Sequence, residues 1–177
     1  GHNPKLVHVL DGGLKKWKLE KRPTTKNLKN INQTNYSAIE KNEMIKNKKQ
    51  IDENIKKKKF NVIDARSRGR FEGTDPEPRK DVRSGSIPNS YCLPFNELIN
   101  KNHTFKEQKE ILNKFSNLLS SRYDEEVVFS CGSGVTATVL ALAYSLINNK
   151  YTPTIYDGSW AEYGKKNLWK DQLKLPR

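Results

Sequence analysis

Val127-Val128-Phe129-Ser130-Cys131-Gly132-Ser133-Gly134-Val135-Thr136-Ala137 is the stretch on which the reading of this chain turns. It opens with a short apolar run that shows no polar alternation, the pattern of a strand buried on both faces. Two glycines interrupt it, and from Thr136 to residue 148 a mostly apolar segment has the length of a helix. Strand, glycine-rich loop and helix in immediate succession form the repeating unit of a parallel sheet. The alternation continues outward. Strands are expected at residues 60–65, 90–93, 126–130 and 154–156. Residues 105–119 carry Ile111, Leu112, Phe115, Leu118 and Leu119 at the spacing of an amphipathic helix. The expected fold class is α/β, an open parallel sheet flanked by helices on both faces.

Upstream, the apolar residues 7–11 end in Gly12-Gly13, followed by Leu14, Trp17 and Leu19, which reads as strand, turn and helix, stopped near Pro23. Residues 24–36 have no period and read as a linker. Between residues 37 and 59, Ile39, Met44, Ile45, Ile51 and Ile55 fall at helix-compatible intervals with the lysines facing water. Asp11-Gly12 with Trp17 is echoed 146 positions later by Asp157-Gly158 with Tyr163. Tandem copies are the simplest account. On that account residues 1–22 are the closing piece of a preceding copy, residues 23–36 a linker, and residues 37–177 the main domain.

The formal net charge of +13 raises the question of an anionic partner. Residues 26–59 hold ten lysines against four acids, but no arginine and one aromatic ring, Tyr36. Base reading and bidentate phosphate binding favour arginine, and stacking needs rings, so the run reads as a solvated face rather than a nucleic-acid site. No apolar stretch approaches the ~20 residues of a membrane span. His2, His8 and His103 are not spaced with Cys92 or Cys131 as metal ligands would be, and no cofactor motif occurs. Cys92 sits in an expected strand, where cysteine behaves as a small hydrophobe. Two cysteines in such unlike settings suit a reducing compartment, cytoplasmic or mitochondrial.

Cys131 is different. It stands at the C-terminal end of a strand, where open α/β sheets place ligands. The glycines on either side of Ser133 let successive N–H groups turn toward one centre, and a helix starts directly after. Such donors favour the anion of a thiol and equally that of a persulfide. Other cysteine chemistries fit poorly. A phosphatase needs an arginine where Ala137 stands, a papain-like hydrolase needs a nearby histidine, and a Cys-x-x-Cys redox site fails at Gly134.

The loop from Cys131 to Ala137 resembles the active-site loop of the 3-mercaptopyruvate sulfurtransferases of the tandem rhodanese family. Gly69-Arg70-Phe71-Glu72-Gly73-Thr74-Asp75-Pro76-Glu77-Pro78-Arg79 is similar to a second signature of that family, and Asp157-Gly158-Ser159-Trp160 with Glu162 to a third. The resemblance implies a rhodanese-like fold and sulfur transfer from 3-mercaptopyruvate through a Cys131 persulfide to cyanide or a thiol such as thioredoxin. It implies Cys131 and Ser133 as catalytic residues. Arg70, Arg79, Gly132, Gly134, Val135 and Thr136 follow as substrate-binding residues, with the two arginines on the donor's carboxylate unless they merely pair with Glu72, Asp75 or Glu77. Arg66, Arg68, Asp64 and Trp160 read as structural. The related thiosulfate sulfurtransferases carry arginine and lysine where Gly132 and Ser133 stand, so thiosulfate is the alternative donor, and an inactive rhodanese-like binding module is the alternative of another class. Ser86 departs from the family's usual histidine. The family's proposed relay partners of Ser133, an aspartate and a histidine, belong to the first domain.

Overall fold

A computed structural model describes residues 3–28, 30–122 and 125–166. Five strands, β1 (Ile45–Lys46), β2 (Phe60–Asp64), β3 (Tyr91–Cys92), β4 (Glu126–Ser130) and β5 (Ile155–Tyr156), form one sheet in the order β1-β5-β4-β2-β3. Every pairing is parallel. The longest pairing joins β2 and β4 over five residues, from Phe60↔Glu126 to Asp64↔Ser130. Because side chains alternate across a strand, β4 sends Val127 and Phe129 to one face and Val128 to the other. The first face is covered by α4 (Gln108–Leu119) through Ile111, Phe115 and Leu119, and by α5 (Ala137–Ser145) through Leu140 and Tyr144. The second is covered by α2 (Lys48–Lys57) through Ile51, and by α6 (Ser159–Tyr163) through Trp160 and Tyr163. Two further helices are short: α1 (Gly13–Leu19) and α3 (Arg68–Glu72). This is the expected α/β class, with helices on both faces.

Two local expectations are corrected, and one element was not foreseen. Residues 7–10 form no strand; Val9 is 67% exposed and Leu10 58%. A strand exists only through the backbone of a neighbour, and none of the described strands runs beside this segment. Its turn and helix do form, and Asp11 Oδ1 accepts the Phe105 N–H at 2.8 Å. Residues 37–59 are not one helical stretch. The Asn47 side chain accepts the Gln50 N–H at 3.0 Å while the Gln50 side chain accepts the Asn47 N–H at 2.9 Å, so a capping box starts α2 there. Ile45 and Lys46, just ahead of the cap, pair with Ile155 and Tyr156 instead. Finally, α3 follows Ser67 and stops at Gly73 in the left-handed region, φ 86°, too short to leave a periodic trace. Residues 167–177 of the expected main domain lie outside the described residues.

Candidate active site

The sheet order reverses between β2 and β4: the chain leaves β2 toward β3 on one side and adds β4 and β5 on the other. Clefts form at such points, beyond the C-terminal ends of the strands. Cys131 directly follows β4, and the segment carrying Arg66, Arg70, Glu77 and Arg79 follows β2. They meet in a cavity of about 240 Å³ whose wall includes Arg70, Arg79, Cys131, Gly132 and Ser133. Val135 and Thr136 complete that side. Cys131 is only 1% exposed, so its thiol lies at the bottom, whereas Ser133 and Val135 stand at the rim.

The loop's donors are divided differently from the expectation. One N–H, that of Ser133, reaches Cys131 Sγ, at 3.4 Å. The Gly134 N–H is given to Ser159 Oγ at 3.1 Å, and Gly134 does not line the cavity. Its role is in the turn. Its φ is 82°, and a Cβ there would sit 2.9 Å from the Asp157 carboxylate and 3.1 Å from the Asp157 carbonyl, so only glycine fits without movement. The N–H groups of Gly132, Val135 and Thr136 have no hydrogen-bond partner among the described residues.

The arginines also differ from each other. Arg70 grips Glu77 with two donors, Nε to Oε1 at 3.1 Å and Nη2 to Oε2 at 2.6 Å, and Arg66 Nη1 shares Oε1 at 2.7 Å. One edge of the Arg70 guanidinium is therefore taken. Its end remains, close to Gly132, where an added Cβ would lie 3.1 Å from Nη2. Arg79 is exposed at the cavity and pairs with no acid among the described residues. The sequence pattern of rhodanese-like domains matches residues 47–166, the span that contains this whole constellation. The chain belongs to the rhodanese-like domain family.

It is similar to curated relatives in two named activities. Identity to the 3-mercaptopyruvate sulfurtransferase of Mus musculus is 36% over 163 residues, covering 92% of this chain and 54% of that protein. Identity to the thiosulfate sulfurtransferase of Mus musculus is 32% over 167 residues, covering 94% and 55%. The crystal structure of SseA from Escherichia coli, described with the "rhodanese" fold and catalytic mechanism of 3-mercaptopyruvate sulfotransferases, gives a TM-score of 0.69 at 27% identity, over 85% of this chain and 55% of that one. The chain spans about half the length of the curated relatives it matches.

Within this rhodanese-like domain the remaining charges are paired in order. Asp64, 1% exposed, accepts Arg66 Nη2 at 2.7 Å, and Arg66 Nη2 also donates to the Gly85 carbonyl at 2.7 Å. The Arg66 and Arg83 guanidiniums lie over the buried Trp160 ring at 4.6 and 4.4 Å, and Tyr163 stacks on it, which agrees with its reading as a packing residue. Arg68 pairs with Glu97 away from the cavity. Among the cavity's ionisable side chains, Glu77 compensates Arg70 and leaves Arg79 as the surplus cation. Glu77, which sequence reasoning treated only as a possible competitor, is the carboxylate shared by Arg70 and Arg66. Burial alone would raise its carboxyl, but the hydrogen bonds from Arg70 and Arg66 outweigh burial and hold it below the usual carboxylate range.

Cys92 has the opposite setting. It donates to the Arg66 carbonyl at 3.7 Å and borders a different cavity, beside Arg68, Glu97 and Lys114. Burial pushes its thiol up to about 11, so it is a protonated, unreactive group at neutral pH. Among the described residues no group of His, Cys, Asp and Glu side chains could hold a metal ion, and no helix is long and apolar enough to cross a membrane.

Proposed function

We propose that this domain transfers sulfur from 3-mercaptopyruvate to a thiol acceptor through a persulfide on Cys131. The observation that carries the reading is the buried Cys131 thiol at the bottom of a cavity walled by Arg70 and Arg79. The donor's carboxylate is held by the free end of Arg70 and by Arg79, which directs its thiol group toward Cys131. The Cys131 thiolate attacks that sulfur, the carbon–sulfur bond breaks, and its electron pair leaves with pyruvate as the enolate, which takes a proton. The outer sulfur stays on Cys131, with the free N–H groups of Gly132, Val135 and Thr136 nearby to stabilise the anion. Ser133 donates from the rim to the carbonyl oxygen that becomes the enolate. A thiol such as thioredoxin, or cyanide, then attacks the outer sulfur and restores the thiolate, the two-step exchange of covalent catalysis. The reaction belongs in a reducing compartment, cytoplasm or mitochondrion, and asks nothing of metal or cofactor.

Thiosulfate is the second donor to weigh, because a thiosulfate sulfurtransferase is among the relatives. Against the Cys131 thiolate, the cavity sets only Arg79 and the free end of an Arg70 already paired with Glu77, a balance that suits a monocarboxylate better than a dianion. Mass spectrometry after incubation with 3-mercaptopyruvate tests the proposal. Wild-type protein should gain one sulfur on Cys131, Cys92→Ala should gain it equally, and Cys131→Ser should gain none. A persulfide that persists in Cys131→Ser would overturn the assignment.

A further inference from the structure

We infer that Ser159, which does not touch the cavity, is the positioning residue of the Cys131 loop; the inference rests on the sulfur-transfer reading above. Its side chain is fully buried, at 0% exposure, and its backbone is left-handed, φ 49°, a conformation that residues other than glycine rarely adopt. Such a residue persists where its surroundings over-determine it. A hydroxyl has one proton and two lone pairs, and here all three are used. Ser159 Oγ donates to the Tyr156 carbonyl at 2.8 Å and accepts both the Cys131 N–H and the Gly134 N–H, each at 3.1 Å.

The two residues after it continue the clamp from the other polarity. Trp160 N–H donates to the Cys131 carbonyl and Ala161 N–H to the Gly132 carbonyl, each at 2.9 Å. Residues 159–161 thus hold the turn 131–134 by four hydrogen bonds, and the hydroxyl supplies the two that fix both of its ends. With the ends fixed, the Ser133 N–H is held on Sγ and the N–H groups of Gly132, Val135 and Thr136 stay unpaired beside the cavity. Without the hydroxyl, the buried Cys131 and Gly134 donors lose their acceptor, and the turn has no reason to keep its shape. The loop can then satisfy those donors only by moving, and the sulfur moves with it.

The variants Ser159→Ala and Ser159→Gly separate positioning from mere stability. Both remove the hydroxyl, but glycine also accepts the left-handed backbone freely and should melt at or above the alanine variant. In single-turnover reactions with 3-mercaptopyruvate, followed by mass spectrometry, both should reach full persulfide amplitude. Both should do so roughly 10–100-fold more slowly than wild type, the cost of misplacing a reacting atom by up to about an ångström. The donor concentration at half-saturation should change little, because Arg70 and Arg79 remain. Amide hydrogen exchange, which needs no donor, should show protection lost at residues 131–134 and retained in β2 and β4. A reduced amplitude with an unchanged rate constant would overturn the inference. So would recovery of the rate in Ser159→Gly, or protection lost evenly across the sheet. A wild-type protein that takes up no sulfur at all would instead sink the functional reading, leaving exchange to show whether the clamp exists.

Discussion

At residue scale, donor choice turns on where the loop can accept a charge. Arginine and lysine in place of Gly132 and Ser133, the pair that the resemblance assigns to thiosulfate sulfurtransferases, would not be equally accommodated here at both positions. A side chain at 132 begins 3.1 Å from Arg70 Nη2 and must displace it, whereas Ser133 is exposed and free to grow. Ser133→Lys is therefore the change the loop can accept, read against Ser133→Ala so that the added charge is separated from the lost hydroxyl. It adds a cation beside the cavity and should raise the ratio of kcat/KM for thiosulfate over 3-mercaptopyruvate by about tenfold, the effect of roughly 1.4 kcal/mol. Paired kinetics on the two donors decide it, and an unchanged ratio would return the discrimination to Arg70 and Arg79. Much of the site was legible in the sequence, because Cys131, Gly132, Ser133, Val135 and Thr136 lie in one contiguous motif and Arg70 and Arg79 in another. What could not be read is how these segments share donors. Ser159 reaches back 28 residues to Cys131, and Glu77 is claimed by two arginines at once. Both residues lie in recognisable motifs, but such pairings are set by tertiary approach, and neither motif says which partner its residue will meet.

At the scale of elements, legibility followed burial. β4 is hydrogen-bonded to strands on both sides and packed on both faces, so its apolar run marked its limits well. The edge strand β1 has two residues and a solvated neighbourhood, and it left no such trace. Residues 7–10 show the converse, since they carry a strand's composition without a strand's partner. What holds β4 in place is an aromatic cluster centred two residues before Cys131. Phe129 meets Phe115 and Tyr144 edge-on at 6.0 and 5.9 Å, and Phe115 meets Tyr144 at 4.9 Å. Phe115 lies on α4, fully buried and far in sequence from the loop. Phe115→Ala should lower stability by about 3–5 kcal/mol, by lost burial plus the cavity left behind. Chemical denaturation measures this, and a loss below about 1 kcal/mol would mean that this face of β4 does not depend on the cluster.

For the molecule as a whole, stability against pH should be bounded by two shifted groups, Glu77 on the acid side and Cys92 on the alkaline side. The folded state holds Glu77 below its unfolded value, so its contribution is present above about pH 4.5 and is lost as pH falls through the lower folded value. Cys92 is shifted the other way, and what its neutral form contributes is lost as pH rises from about 9 toward about 11. Glu77→Gln should cost about 3 kcal/mol near neutrality, because two arginines lose their shared carboxylate. The gap from wild type should then narrow only as pH falls below about 4.5 and through the lower folded value, as wild-type Glu77 itself takes a proton. Denaturation midpoints across that range provide the check; a gap independent of pH would show that the carboxylate's charge is not what holds the pair. The five-residue pairing of β2 with β4 has a consequence of a different kind. Cys131 directly follows one strand and the segment carrying the arginines follows the other, so parting the middle of the sheet on heating disperses both halves of the candidate site at once. Sulfur transfer should therefore vanish completely within the melting transition, with none persisting above it.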